Sequence, residues 1–159
     1  MTGWVLLGRM ADVDGNGRWI AGWAGAIPVL VRNFQGDLRG FRNVCSHRFA
    51  RMLTEPAGKG PLRCPYHAWV YDADGVPRAI PFNDTDFHLD EAGRRALALP
   101  PIAVTATHGL VFVHADPSAD AGIPLGWMAA GRTHLPDGAV IGTNGVILHR
   151  PSAGREGAC

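Results

Sequence analysis

Apolar residues fall in short blocks along this chain, and Gly, Pro, Asp or Asn interrupts each block within a few positions. The first block is Trp4–Leu7, followed by the turn-rich run Asp12-Val13-Asp14-Gly15-Asn16-Gly17. Ile27–Val31 comes next, with Pro28 near its start, where a missing N–H costs a sheet least. Gln35-Gly36-Asp37 reads as a hairpin turn into Leu38–Val44. Leu62-Arg63-Cys64 predicts a short strand stopped by Pro65. Trp69-Val70-Tyr71 predicts another, which turns at Asp72-Ala73-Asp74-Gly75 and returns as Val76–Ile80. Ile102–Thr107 and Leu110–His114 flank His108-Gly109 and predict a hairpin. Short strands joined by Gly-containing turns pair with their neighbours, so the pattern predicts a mainly β, antiparallel domain of small barrel or sandwich type.

Two stretches break the rhythm. Asp84, Asp86, Asp90 and Glu91 precede an Ala/Leu/Arg-rich run that carries Arg94-Arg95 and ends at Pro100. Acid early and base late suit the helix dipole, so a short helix is predicted within 84–98. From Pro117 onward the pattern dissolves into weakly apolar runs punctuated by glycines from Gly122 to Gly157. The expected organisation is one domain over residues 1–120 and an irregular, poorly ordered tail over 121–159, disordered after about His149.

A chain of 159 residues and 17.0 kDa holds one domain, and 47% hydrophobic with 18% charged residues supplies enough apolar material for a core. Fifteen Lys and Arg against fourteen Asp and Glu leave a formal charge of +1 with no basic stripe, which argues against a nucleic-acid partner. Lys59 is the only lysine, a bias that reads as genomic base composition. No apolar run reaches the roughly 18 residues that cross a bilayer, so no membrane partner is expected. Met1-Thr2-Gly3-Trp4 does not open a basic-then-apolar leader, and the expected compartment is the cytoplasm. In that reducing setting the odd set Cys45, Cys64 and Cys159 does not read as a disulfide framework.

Two segments carry the chemistry. Cys45-Ser46-His47-Arg48 and Cys64-Pro65-Tyr66-His67 give C-x-H, sixteen intervening residues, then C-x-x-H. Cys and His two or three residues apart on a turn can aim at one centre, and two such turns can meet at hairpin tips. An S2N2 donor set has two main answers, one tetrahedral zinc or a [2Fe-2S] cluster with both histidines on one iron. Ligand order favours the cluster. Zinc fingers pair Cys with Cys and His with His along the chain, whereas here each turn carries one of each.

Cys45-Ser46-His47-Arg48 and Cys64-Pro65-Tyr66-His67-Ala68-Trp69, at that separation, resemble the two cluster-binding boxes of the Rieske [2Fe-2S] family. More narrowly they resemble the N-terminal Rieske domain of ring-hydroxylating oxygenase large subunits. Asn43-Val44, Tyr71-Asp72, the Gly75 turn and the lead-in Pro28–Val31 with Gly36 and Leu38 fit that subfamily, and the resemblance runs from about residue 4 to about 116. It implies three small antiparallel sheets with a [2Fe-2S] cluster at the tips of two loops. It implies Cys45 and Cys64 on the iron that stays ferric, His47 and His67 on the iron that is reduced, and an exposed histidine edge for electron transfer. It implies a reductase or ferredoxin as electron donor and an oxygenase catalytic domain or subunit as acceptor.

Respiratory-complex Rieske proteins carry an extra cysteine in each box, joined by a disulfide, where this chain has Ala50 and Tyr66. They also place a hydroxyl near the cluster sulfurs two residues past the second histidine, where this chain has Trp69. Fewer hydrogen bonds to sulfur make the reduced cluster less stable, so a potential on the order of −150 mV is expected. Arg48 fits equally an offset to cluster charge and a solvated loop arginine, and Trp69 and Tyr71 are expected chiefly as core aromatics. His88, His108, His114, His134 and His149 are not expected to be ligands, and Cys159 is expected as a free thiol. Rieske oxygenases hold a mononuclear iron on two histidines and a carboxylate in a further, catalytic domain. His134, His149, Asp137 and Glu156 do not form such a triad, so this chain is not expected to oxygenate a substrate alone. Three functions stand at this point: the relay domain of a Rieske-type aromatic-ring or related oxygenase, a stand-alone Rieske ferredoxin, or a structural zinc module. The stretch 84–114 favours the first over the second, and ligand order counts against the third.

Overall fold

The computed structural model describes residues 3–120 and, as backbone strands only, 139–141 and 147–149. Strand β1 is Val5–Arg9, and a single helical turn α1, Met10–Val13, follows it. Strands β3 (Ile27–Phe34) and β4 (Asp37–Arg42) form the hairpin read from Gln35-Gly36, with Phe34 paired to Asp37. Strand β2, Arg18–Ala24, is a strand the hydropathy pattern did not give. Its inward positions include Ala21 and Ala24, which are buried but weakly hydrophobic, and Gly22 interrupts the run. Strand β5, Ala57–Lys59, carries no apolar pattern of its own; backbone pairing with Arg18–Ile20 makes it. Strands β6 (Leu62–Arg63), β7 (Val70–Tyr71) and β8 (Pro77–Ala79) lie within the predicted segments. Strand β10 (Leu110–His114) does too, and β9 (Pro101–Thr107) starts one residue before its predicted segment; the two are joined at His108 and Gly109, both at positive φ as a tight hairpin turn requires.

The helix expected over 84–98 is shorter and comes in two parts. Asn83–Phe87 winds as one π-helical turn, and α2 covers only Glu91–Ala96, with the Asp90 carboxylate capping the Gly93 N–H at 2.8 Å. Left-handed backbone at Phe82 (φ 61°) and His88 (φ 51°) stops any longer helix. Within the tail, β11 (Ala139–Ile141) and β12 (Ile147–His149) form a hairpin that continues the sheet from β1, an addition to the pattern reading. The expectations for His134 and Cys159, and for disorder after about His149, lie outside the described residues.

Among the described residues all strand pairs are antiparallel. The resemblance implied three small sheets; here pairing of β4 with β9, Gly40 to Ile102 and Phe41 to Pro101, joins two of them. The result is a nine-stranded sheet ordered β12-β11-β1-β10-β9-β4-β3-β2-β5 and a separate three-stranded sheet β6-β7-β8. The large sheet curls, bringing β1 back over β2: a Cβ on Gly22 would stand 2.9 Å from Leu7 Cδ1. Val5, Ile20, Val29, Val31, Val111 and Val113 fill the inside of the curl. A second core, with Leu30, Phe41, Leu62, Trp69, Tyr71 and Leu99, binds the small sheet to the large one and encloses Cys45 and Cys64. Among the described residues no helix is long and apolar enough to cross a membrane.

Candidate metal centre

The two Cys/His segments fold into loops of one design. After β4, an isolated bridge between Val44 and Arg51 closes the first loop. Within it the Cys45 N–H donates to the Ala50 carbonyl and the Cys45 carbonyl accepts from the Phe49 N–H, both at 2.8 Å. In the second loop, between β6 and β7, the Cys64 N–H donates to the Trp69 carbonyl at 2.9 Å and its carbonyl accepts from the Ala68 N–H at 3.0 Å. Phe49 and Ala68, the residues that turn each loop home, both have φ 58°. Left-handed backbone at non-glycine residues is unfavourable and persists where surrounding bonds over-determine it, often beside a functional site. Because the two rings of hydrogen bonds match, His47 and His67 leave equivalent turns.

The side chains then meet in pairs. Cys45 and Cys64 are both free and each is 1% exposed within the second core. Burial pushes the Cys45 thiol up, the Tyr71 hydroxyl and the His47 N–H pull it down, and the neighbouring Cys64 thiol raises it again. The His47 and His67 rings stand edge to face with centroids 4.7 Å apart. His47 lies flat on Trp69, 4.8 Å between centroids and 8° between planes, while His67 is exposed. Burial, then the His67 and Arg48 charges, holds the His47 pKa below its ordinary value, which places Arg48 in the field of this histidine. His47 Nδ1 is the one buried side-chain nitrogen or oxygen without a hydrogen-bond partner among the described residues. An unsatisfied buried group of this kind costs about 1–3 kcal/mol, so a bonding partner there is strongly favoured.

This donor set suits a two-iron cluster: a pair of soft, buried thiols and a pair of imidazoles, one with an orphaned ring nitrogen. Among the described residues no group of three or more His, Cys, Asp or Glu side chains gathers as ligands of one ion. A [2Fe-2S] cluster does not need such a group, because each iron takes only two protein ligands. His88, His108 and His114 lie elsewhere, respectively ending the π-helical turn, sitting in the β9–β10 turn, and packing against Trp4.

Three supporting residues were not legible as such. Tyr71, read as core, does bury its ring, but its hydroxyl also lies 3.1 Å from each of Cys45 Sγ, the Ser46 N–H and Ser46 Oγ. Burial pushes the phenol pKa up, so it stays protonated and able to donate. Phe87 sets its ring edge against both His47 and Trp69, 5.4 Å from each centroid. Asn43 is fully buried and clips the first loop shut, its side chain donating to the Leu53 carbonyl at 2.7 Å and accepting from the Leu53 N–H at 2.9 Å. In the sequence Asn43 is marked only by the resemblance, as part of the lead-in to the first box. Asn43→Ala strands the Leu53 N–H and should lower stability by about 2–3 kcal/mol, read as a lower urea midpoint at an unchanged slope.

A family model described as the Rieske [2Fe-2S] domain matches residues 3–101. The chain is 36% identical over 113 residues to the glycine betaine monooxygenase oxygenase subunit of Chromohalobacter salexigens, covering 69% of this chain and 24% of that protein. It is 30% identical over 148 residues to the biphenyl 2,3-dioxygenase subunit alpha of Rhodococcus jostii, covering 90% of this chain and 31% of that protein. Among solved structures, naphthalene 1,2-dioxygenase with indole bound superposes with a TM-score of 0.66 at 25% identity, over 74% of this chain and 27% of that one. The quaternary ammonium Rieske monooxygenase CntA gives a TM-score of 0.66 at 24% identity, over 75% of this chain and 33% of that one, a likeness of fold. The chain thus spans about a quarter of the length of the first curated relatives it matches.

Proposed function

This chain belongs to the Rieske [2Fe-2S] domain family, whose members bind that cluster, and we propose that it is the electron-relay domain of a Rieske oxygenase system, with Cys45, Cys64, His47 and His67 as the ligands. When bound, the cluster supplies a one-electron couple at low potential. One observation supports the ligand assignment: matched loops carry a pair of buried thiols and a pair of touching imidazoles, and His47 Nδ1 has no hydrogen-bond partner among the described residues.

The residues divide the work. Cys45 and Cys64 anchor the buried side, where burial keeps water and oxidants from the sulfurs. His47, under Trp69, holds the inner edge. His67 is exposed and offers the imidazole edge through which an electron passes to or from a docked partner. The donor in this reading is a reductase or ferredoxin, and the acceptor is the catalytic domain or subunit of the oxygenase, where substrate selection resides. In this reading residues 1–120 make up the relay domain.

Redox titration of the cluster-loaded protein tests this reading. A midpoint on the order of −150 mV, at the low end of the Rieske range, is expected, because the boxes lack the extra cysteines and Trp69 occupies the hydroxyl position. A clearly positive midpoint contradicts the oxygenase-type assignment.

A further inference from the structure

The segment between β8 and α2 is tied down more firmly than a connector needs. At its start Arg78 of β8 bonds the Asp72 carboxylate through Nε and Glu91 through a terminal guanidinium nitrogen, both at 2.6 Å. Arg94 of α2 returns a bond to the Arg78 carbonyl at 2.6 Å. Asn83 clips the π-helical turn, donating to the Leu89 carbonyl and accepting from the Leu89 N–H, both at 3.2 Å. Leu89 and Leu97 pack onto the core that holds Cys45 and Cys64. Between these ties the backbone takes left-handed conformations at Phe82 and His88 around a π-helical turn, a combination that is costly and uncommon outside functional sites. What the strap delivers is one ring: Phe87, edge-on to His47 at 87° and to Trp69 at 85°.

The His47 imidazole is therefore boxed by Trp69 on a face, with the rings of Phe87 and His67 packed edge-to-face against it. We infer that Phe87 is a positioning residue for electron transfer: the strap presses its ring on the His47–Trp69 stack, fixes the plane of His47 and keeps water off it, so the two histidines differ in solvation. This rests on the proposed role of His47 as a ligand. A dry, apolar surround disfavours the reduced state, which carries more negative charge, and so holds the potential down. Phe87 is itself 36% exposed, which makes it a cover with solvent on its outer side.

The test uses the cluster-loaded protein with Phe87→Ala, Asn83→Ala and, as control, Phe82→Ala, since Phe82 is 73% exposed and has no ring contact with His47. Midpoint potential and deuteron coupling in pulsed EPR after exchange into D2O are the readouts. Phe87→Ala should shift the reduction equilibrium three- to tenfold toward the reduced form, tenfold being about 59 mV for one electron, and should add a deuteron signal. Asn83→Ala, which frees the strap but keeps the ring, should move both readouts in the same direction by less, and it decides the matter if Phe87→Ala fails to fold. Phe82→Ala should match the wild type. The inference is overturned if Phe87→Ala or Asn83→Ala keeps the wild-type potential and deuteron signal with its cluster intact, or if Phe82→Ala shifts them equally. A wild-type protein that holds no [2Fe-2S] cluster would instead overturn the underlying function.

Discussion

Cys64→Ser should lose nearly all bound iron, with a fall of at least about tenfold in iron per chain after anaerobic purification, and should keep its far-UV circular dichroism. The first outcome follows from ligand chemistry. A thiolate is the soft donor that iron–sulfur clusters require, and a serine hydroxyl neither ionises near neutral pH nor matches that softness. Cys64 is 1% exposed, so no water-borne ligand can take its place. The second outcome follows from how the loop is closed. The bonds from the Cys64 N–H to the Trp69 carbonyl and from the Ala68 N–H to the Cys64 carbonyl are backbone bonds, which serine preserves. Cys159→Ser should leave iron content at the wild-type level, because the chemistry needs only the two cysteines that have a histidine nearby. Iron retained in full by Cys64→Ser would remove Cys64 from the ligand set.

Tyr71→Phe should lower the midpoint potential by roughly 40 mV, the equivalent of about 1 kcal/mol for one electron. The phenol oxygen accepts from the Ser46 N–H at 3.1 Å, and the Ser46 hydroxyl lies at the same distance and can donate to it as well. A metal-bound Cys45 sulfur has no proton, so the bond across 3.1 Å then runs from the Tyr71 O–H to Sγ. That bond strengthens as the sulfur gains charge, so it favours the reduced form, and phenylalanine removes it while keeping the buried ring. Ser46→Ala should lower the potential by less, because it removes only a neighbour of the phenol. An unchanged potential in Tyr71→Phe would mean that Tyr71 serves packing alone.

What the sequence disclosed follows from which interactions are local. The Cys/His boxes stand out in the sequence because the proposed chemistry needs those residue types at short spacing; the structure sets the His47 ring against His67 and Cys45 beside Cys64. The hairpins β3–β4 and β9–β10 were legible because turn residues and alternating apolar positions lie side by side in the chain. Strand β2 was hidden, since Ala21 and Ala24 bury almost completely without marking themselves as strongly apolar. The joining of two sheets at Gly40 and Ile102 depends on a contact between distant segments, which no local pattern encodes. The same applies to Tyr71, whose hydroxyl meets Cys45 only because the β6–β7 register turns it inward, twenty-six residues along the chain. Acidic residues early and Arg94-Arg95 late predict one short helix within 84–98. It gave way to a π-helical turn because Asn83 and Leu89 bond each other across it, and Phe87 then packs against His47 and Trp69 rather than facing outward on a regular helix.

Pulsed EPR on dithionite-reduced protein grown with nitrogen-15 histidine tests the central claim most directly, since it sees the bonds between metal and imidazole. The predicted result is a reddish protein with a rhombic signal averaging below the free-electron value and two strongly coupled imidazole nitrogens, both lost when His47 and His67 are replaced together. A colourless protein holding one zinc per chain, or a reduced cluster with no coupled histidine nitrogen, would contradict it.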